Sequence, residues 1–553
     1  MNVRLAIDTV VLFAYFIGIV ALGLWAGRRN RNLEDFSLGS RSIPWWAVLA
    51  SIVAAETSAA TFLGTPAEGF KTRGYFYGQL AIGTVLARIV IAFTFIKPYY
   101  QYRVQSVYEF LTVRFGTKTK NMASGIFLFT RVLGIGVRLY LGGAIMVVVW
   151  RYLFPSLPVS LNTYVWGIIF VTVITTIYTA VGGIKAVVWT DLIQAVLMIS
   201  SVIFAIFLLL KNIPGGLETV KSNLGGWGNV KLFQTGWNSA LPFGQAFKAM
   251  LEEPYTIFAA FIGSTLLTIG THGTDQDMVQ RMLTAPDHRK SQLSLILSGI
   301  MDLPIAGAFL TVGILLSVFY SVHPEQTLPA ADNEIFGQYI VHDMPVVFRG
   351  LIIAGVFATM MGSTSAALNA LATSFTKDFY LPYIRPGATD RQSIRAARIA
   401  TAVFGVLMIV VATIAANAVL QNAKLTIIPI AIGILGYTYG ALVGVLLLGM
   451  LTRKRGADGT NVVAMAIGIL SVLVLCKISI PAFDLGALFH GRLVATSWNF
   501  GWSMPDWWPN ISWPWFVFVG CVVTLAFAFP FRTPASQIAA AEAHVKQAGP
   551  HPA

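Results

Sequence analysis

The sequence predicts an all-α polytopic membrane protein, and three observations carry that reading. Of 553 residues, 56% are hydrophobic and only 11% are charged, whereas soluble domains run at roughly 45–50% apolar and about 25% charged. The mean hydropathy is +0.71. Apolar runs of about 20 residues, enough to cross a bilayer, recur along most of the chain. The three or four soluble domains that length alone suggests would need far more charge to coat their surfaces. Cys476 and Cys521 both lie in apolar runs, which excludes a disulfide framework. The net charge of +14 comes without a basic stripe of interleaved aromatics, so nucleic acid is not an expected partner.

Thirteen runs qualify as spans: 6–26, 44–66, 75–96, 122–150, 162–181, 188–210, 254–279, 292–319, 350–375, 399–420, 425–451, 461–480 and 513–530. Each is expected to be helical, because a backbone in hydrocarbon must satisfy its hydrogen bonds within its own segment. The first run lacks a basic leader and a small-residue cleavage site, so it reads as a retained helix. Of the 38 Lys and Arg, 23 fall in the connections after odd-numbered spans and in the tail, 12 fall on the opposite side, and Arg88, Arg131 and Arg138 lie inside spans. The positive-inside bias then puts the N-terminus outside and the C-terminus in the cytoplasm. The expected location is the cytoplasmic (inner) membrane of a bacterium.

Residues 1–43 hold a peripheral helix and a cytoplasmic loop. Residues 212–253 and 481–512 read as external loops with interfacial Trp and Tyr, and 531–553 as a mobile cytoplasmic tail.

Two spans are interrupted where lipid would favour Leu and Val. The second reads Ala54-Ala55-Glu56-Thr57-Ser58-Ala59-Ala60-Thr61, and the seventh Gly270-Thr271-His272-Gly273-Thr274-Asp275-Gln276. They lie five spans apart, so the two halves have opposite orientation. Paired interruptions of this kind point to a transporter whose unwound helix centres bind solute and ion at mid-membrane. Close packing through small residues accounts for the Ala and Gly, but not for Glu56, Thr57 and Asp275 together. The ninth span carries Ala358-Thr359-Met360-Met361-Gly362-Ser363-Thr364-Ser365. Its hydroxyls and carbonyls suit a small hard cation; equally, such hydroxyls bond their own preceding turn.

Wording supports spacing. Tyr178-Thr179-Ala180-Val181-Gly182-Gly183-Ile184-Lys185, continuing through Trp189-Thr190-Asp191-Leu192-Ile193-Gln194, resembles the signature of the sodium/solute symporter family. Ser37-Leu38-Gly39-Ser40-Arg41, Thr61-Phe62-Leu63-Gly64, Gln280-Arg281 and Leu368-Asn369-Ala370-Leu371 also match. The resemblance implies a leucine-transporter-type inverted repeat, 44–211 and 254–451, with peripheral helices over 452–530. It also implies solute uptake coupled to a sodium gradient. Carried over residue by residue, the family's common sodium site takes carbonyls near Ala54 and Thr57, the Thr359 carbonyl, and hydroxyls at 362 and 363. Only Ser363 supplies a hydroxyl, since 362 is Gly. A second ion position in some members matches Asp191 and Ser365 but not Ala366.

An ionisable residue inside a span costs at least about 2.5 kcal/mol and so has a partner or a task. Glu56 either attends a cation at the break or is neutralised by Arg88, Arg131 or Arg138. The resemblance puts the fourth span against the solute cavity, where Arg138 would hold a substrate carboxylate through two parallel bonds; a structural pairing of these arginines with Glu56 or Asp191 is the alternative. Thr61, Thr271 and His272 complete the substrate candidates, with His272 also readable as a satisfied core histidine. The wording of Ser58–Pro66 resembles family branches that move vitamins, monocarboxylates or other small anions. No HExxH, CxxC, nucleophile elbow or phosphate loop occurs, so neither an enzyme nor a transition-metal site is expected. The reading is a sodium-coupled symporter of a small organic solute. Its rivals are a proton-coupled carrier using Glu56 or Asp191 and a non-transporting sensor on the same scaffold.

Overall fold

The computed structural model describes residues 3–153, 160–329, 334–421, 427–483, 495–499 and 504–548. Each of the thirteen runs is mostly helical among these residues, although 461–480 leaves helix after Leu475 and ends in strand at Ser479–Ile480. The helices that build the site are α1 (Val3–Ala26), α2 (Trp45–Glu56), α3 (Ala59–Thr72), α4 (Phe76–Gln101), α5 (Thr117–Leu153), α6 (Leu161–Asn212), α7 (259–274), α8 (Gln276–Met282), α9 (His288–Val322), α10 (Ile335–Asp343) and α11 (Phe348–Phe375). There follow α12 (Asp390–Gln421), α13 (Ile427–Leu451), α14 (Asp458–Leu475), α15 (Phe516–Ala528) and α16 (Ala535–Ala548).

Among the described residues, nine helices are long and apolar enough to cross a membrane, and ten if the bent pair α2/α3 is one span. The difference from thirteen has three physical sources. At 1.5 Å per residue, the 52 residues of α6 would measure about 78 Å if straight, more than twice a bilayer core of about 30 Å. It holds two expected spans, separated at Gly183 (φ 59°, ψ −155°). Only glycine suits that bend, because a Cβ there would come within 2.5 Å of the Phe36 carbonyl oxygen. The seventh expected span is cut into short pieces by π turns at Ala259–Ser264 and Ile269–Thr274, and α15 has only 13 residues.

Burial separates centre from rim. The most apolar window of α11 is 89% buried and that of α1 only 22%. Small residues allow this: Gly355, Ala358, Gly362, Ala366 and Ala370 let α5, α6 and α12 pack closely round α11. On the other side, α9 packs along α2, α3, α4 and α6, while α13, α14 and α15 form a peripheral group.

The connections hold more structure than expected. The 212–253 loop contains helices Leu217–Asn223 and Phe243–Glu252, and α10 had no counterpart in the hydropathy. Beside the helices stands one antiparallel hairpin, Ser479–Phe483 with Ala495–Asn499; 484–494 and 500–503 of the expected 481–512 loop lie outside the described residues. The tail, expected to be loose, forms α16, docked where Gln537 donates to the Thr112 and Val113 carbonyls (3.1 and 2.8 Å) and His544 stacks on Tyr102. Residues 549–553 lie outside the described set.

Candidate functional site

The first break follows from local chemistry. Thr57 caps α2 in an extended conformation (φ −79°, ψ 91°), and its N–H makes the last helical bond, to Val53. Ser58, also extended, starts α3 by accepting from the Thr61 N–H, the usual role of serine before a helix. The two halves meet at 62°. The last carbonyls of α2, from Ala54 onward, thus lose their helical partners inside the bundle.

The second break is built alike. The π turn at the end of α7 gives way to extended backbone at Asp275, whose side chain accepts from the Asp277 N–H at 2.9 Å and opens α8. Such π turns concentrate at functional sites.

The α2/α3 break converges with α5 and α11. Ser58, Ile135, Arg138, Leu139, Met360, Ser363 and Thr364 line a cavity of about 10 Å³, room for about one water. Ala54, Thr57, Thr359 and Ser363 are all buried. The Ser363 hydroxyl donates to the Thr359 and Met360 carbonyls at 3.1 Å each, which leaves its lone pairs free to face a cation. The donor set is neutral oxygen without nitrogen or sulfur, the chemistry a hard monovalent ion prefers.

The charges inside the bundle pair in part as expected, with Glu56 neutralised by Arg88, the first of its three candidate partners. Arg281 takes Asp191 at 3.0 Å. Arg138, for which Glu56 or Asp191 was the alternative partner, pairs with neither among the described residues, and Arg131, another candidate partner of Glu56, instead binds Asp277 and lies 3.2 Å from Asp275. The reason is the second break, which turns Asp275 and Asp277 inward onto α5. Arg281 also pairs with Asp277 and donates to Ser51 at 2.9 Å, while the Tyr439 hydroxyl donates to Asp275. One buried chain therefore runs Tyr439, Asp275, Arg131, Asp277, Arg281, Asp191, Ser51, tying α13, α8, α5, α6 and α2. Arg281 had been assigned to a cytoplasmic connection by topology. The four-residue spacing of Asp277 and Arg281, which faces them on one side of a helix, was the signal that would have placed it inside.

Substrate candidates separate into two groups. Glu56, Arg88, His272 and Thr271 form one: Arg88 donates to Ser298 at 3.0 Å and lies 3.3 Å from His272 Nε2, while His272 Nδ1 is 2.8 Å from the Thr271 hydroxyl. Arginine can only donate, so Nε2 accepts and Nδ1 carries the proton to Thr271. His272 is thereby a satisfied core histidine. Arg138 stands apart in the α5 cavity, with no ion pair or hydrogen bond among the described residues. Thr61 links to that cavity through Ser58, 3.4 Å between hydroxyls. Ser365 and Asp191 are wholly buried. Gln280, which carried the family resemblance without an assigned role, donates its amide to the Ser37 carbonyl and to Asn369 at 2.6 Å each.

Comparison with known proteins agrees with this architecture. The model of the Sodium:solute symporter family matches residues 36–468. The sodium/sialic acid symporter NanT of Aliivibrio fischeri (strain ATCC 700601 / ES114) is 27% identical over 492 residues, 88% of this chain and 90% of that one. The sodium/sialic acid symporter SiaT of Proteus mirabilis (strain HI4320) is 26% identical over 496 residues, 89% of this chain and 93% of its own. A solved Na+-coupled sialic acid symporter, in a substrate-bound outward-open state, superposes with a TM-score of 0.75 at 22% identity, covering 94% of this chain and 96% of that one. The fold is shared with that structure.

Proposed function

The chain belongs to the sodium:solute symporter family, an integral membrane protein that couples solute movement to sodium, and from that premise we propose that its solute is a small organic carboxylate held by Arg138. The observation that carries this reading is the isolation of Arg138. Arg88, Arg131 and Arg281 each have a carboxylate partner, whereas Arg138 lines a cavity with Ser58 and Ser363 and has none within ion-pair distance among the described residues. A guanidinium inside a bundle costs several kcal/mol unless an anion meets it, and its fork suits a carboxylate. Two relatives named for sialic acid, itself an acid, support the class.

In this reading sodium binds at Ser363, the Thr359 carbonyl and the carbonyls near Ala54 and Thr57, beside the solute. Bound cation lowers the cost of bringing an anion to Arg138, and admitting the solute requires the small cavity to open, so each ligand favours the state that binds the other. The repeats 44–211 and 254–451 rock about this centre, with the N-terminus outside and the C-terminus within a bacterial cytoplasmic membrane. Bacterial relatives support that location. Glu56 acts through Arg88 and His272 at the wall of the path, which favours sodium over the proton-coupled alternative.

The test is uptake into proteoliposomes. Under an inward sodium gradient, a panel of radiolabelled acids (sialic acid, short monocarboxylates) and their neutral amides or alcohols is compared. Accumulation of an acid and not of its neutral analogue is expected. Transport of neutral solutes with equal efficiency would sink the carboxylate assignment.

A further inference from the structure

Asp191 is wholly buried, so an ionised carboxylate there needs its oxygens met by donors. Its Oδ2 accepts from the Ser51 hydroxyl at 2.6 Å and from Arg281 at 3.0 Å. Its Oδ1 faces the side-chain amide of Gln194, also buried. An amide oxygen there would face two acceptors, so the amide is read with its nitrogen turned to them, where it donates to Asp191 Oδ1 and to the Ala358 carbonyl oxygen at 3.3 Å each, two acceptors for its two N–H bonds. This placement depends on the missing side chain at 362. A Cβ on Gly362 would lie 2.6 Å from the end of the Gln194 amide and 3.3 Å from Asp191 Oδ1.

We propose that the Gln194 amide holds the place beside Asp191 that a second cation would need, so that this carrier binds a single sodium ion, at Ser363. The inference rests on the sodium site proposed above and specifies its stoichiometry. A cation at Asp191 would have to displace an N–H donor from the carboxylate and sit close to the Arg281 guanidinium. The Ala358 carbonyl, one of the oxygens such an ion would use, already accepts from the same amide. The Ser365 hydroxyl is turned to the Gly362 carbonyl at 3.0 Å, and residue 366 is alanine, which offers no oxygen. Gly362 is then a fitted partner of Gln194: its missing side chain makes room for the amide beside Asp191, whose charge Arg281 balances.

The test uses the purified full-length protein. Its unfolding equilibrium is followed against sodium chloride, with ionic strength held constant by choline chloride. Well above half-saturation, ions bound only by the folded state raise the folding constant as a power of sodium equal to their number. One ion gives about a tenfold change per tenfold sodium, and two give about a hundredfold. A tenfold response is expected of the wild type. A hundredfold response would overturn the inference while leaving the Ser363 site standing, and a flat one would overturn both. The double variant Gly362→Ser/Ala366→Ser pushes the amide aside and adds the missing hydroxyl of the second position at 366, and should steepen the response towards a hundredfold. A folded double variant still responding tenfold would show that the amide is not what keeps a second ion out. Should that variant not fold, the wild-type slope decides alone.

Discussion

Arg281 and Asp191 meet 3.0 Å apart at the centre of the bundle, both wholly buried. The same guanidinium bonds Asp277 and Ser51, so one positive charge fastens α2, α6 and α8. Removing it strands the Asp191 carboxylate in a medium that cannot solvate it and leaves Asp277 to Arg131 alone, at about 3–5 kcal/mol. Arg281→Met should therefore lower thermal stability sharply. Adding Asp191→Asn to that variant should recover part of the loss, since one stranded charge disappears. Strictly additive losses in unfolding experiments on the two single variants and the double would show that the residues do not interact.

Ser363→Ala removes the one side-chain oxygen in the proposed sodium site and leaves the Thr359 carbonyl in place. A neutral ligand of this kind contributes about 1 kcal/mol, so half-saturating sodium should rise about five- to tenfold. Maximal uptake at saturating sodium should change little. Unaltered sodium dependence in a flux assay would remove Ser363 from the site.

The sequence disclosed the spans because hydropathy is summed over about twenty residues and no local detail can cancel it. It also disclosed both helix breaks, since Glu56-Thr57-Ser58 and Asp275 are cappers and charges where lipid tolerates neither. The pairing of charges was not legible. Arg131 sits against Asp275 and Asp277, both at the start of α8, and choosing them over Glu56 required knowing how α8 turns after the π segment. The same holds for Gln194, an ordinary polar residue in a helix until Gly362, 168 positions later, supplies its space. Arg281 was misplaced because loop-counting treats every basic residue near a span end as a topology signal.

At Gly183 the backbone takes φ 59° and ψ −155° against the Phe36 carbonyl. An alanine there meets that oxygen at 2.5 Å and adopts a conformation costing about 1–3 kcal/mol besides. Gly183→Ala should reduce the amount of folded protein in the membrane, while Gly125→Ala, where nothing lies within 4 Å of the added carbon, should not. Equal yields of both by fluorescence-detected gel filtration would show that the bend is not essential.

Glu56→Gln tests the coupling ion as well as the fold. It removes the carboxylate that pairs with buried Arg88 and leaves the guanidinium its hydrogen-bond partners His272 and Ser298, a loss of about 3–5 kcal/mol by the same reasoning as for Arg281. With Glu56 held by Arg88, the wild type should accumulate no solute in sodium-free vesicles under an inward proton gradient. Accumulation there, abolished by Glu56→Gln, would transfer the driving role to protons.

Arg138 gives the sharpest test of substrate class, because no carboxylate pairs with it and its replacement strands no partner. Arg138→Gln should keep the wild-type sodium-dependent stabilisation, as Ser363, Thr359 and the α2 carbonyls are untouched. Uptake of the acid should fall through a higher KM, since a charge-assisted pair contributes about 1.5–3 kcal/mol, or roughly 10- to 150-fold in affinity. Arg138→Lys restores the charge but not the planar fork, so it should recover part of the affinity and no more. Full recovery by lysine would mean that charge alone attracts the solute. An unchanged KM in Arg138→Gln would place the anion elsewhere, with Glu56, Thr271 and the Arg88 cluster the next region to vary.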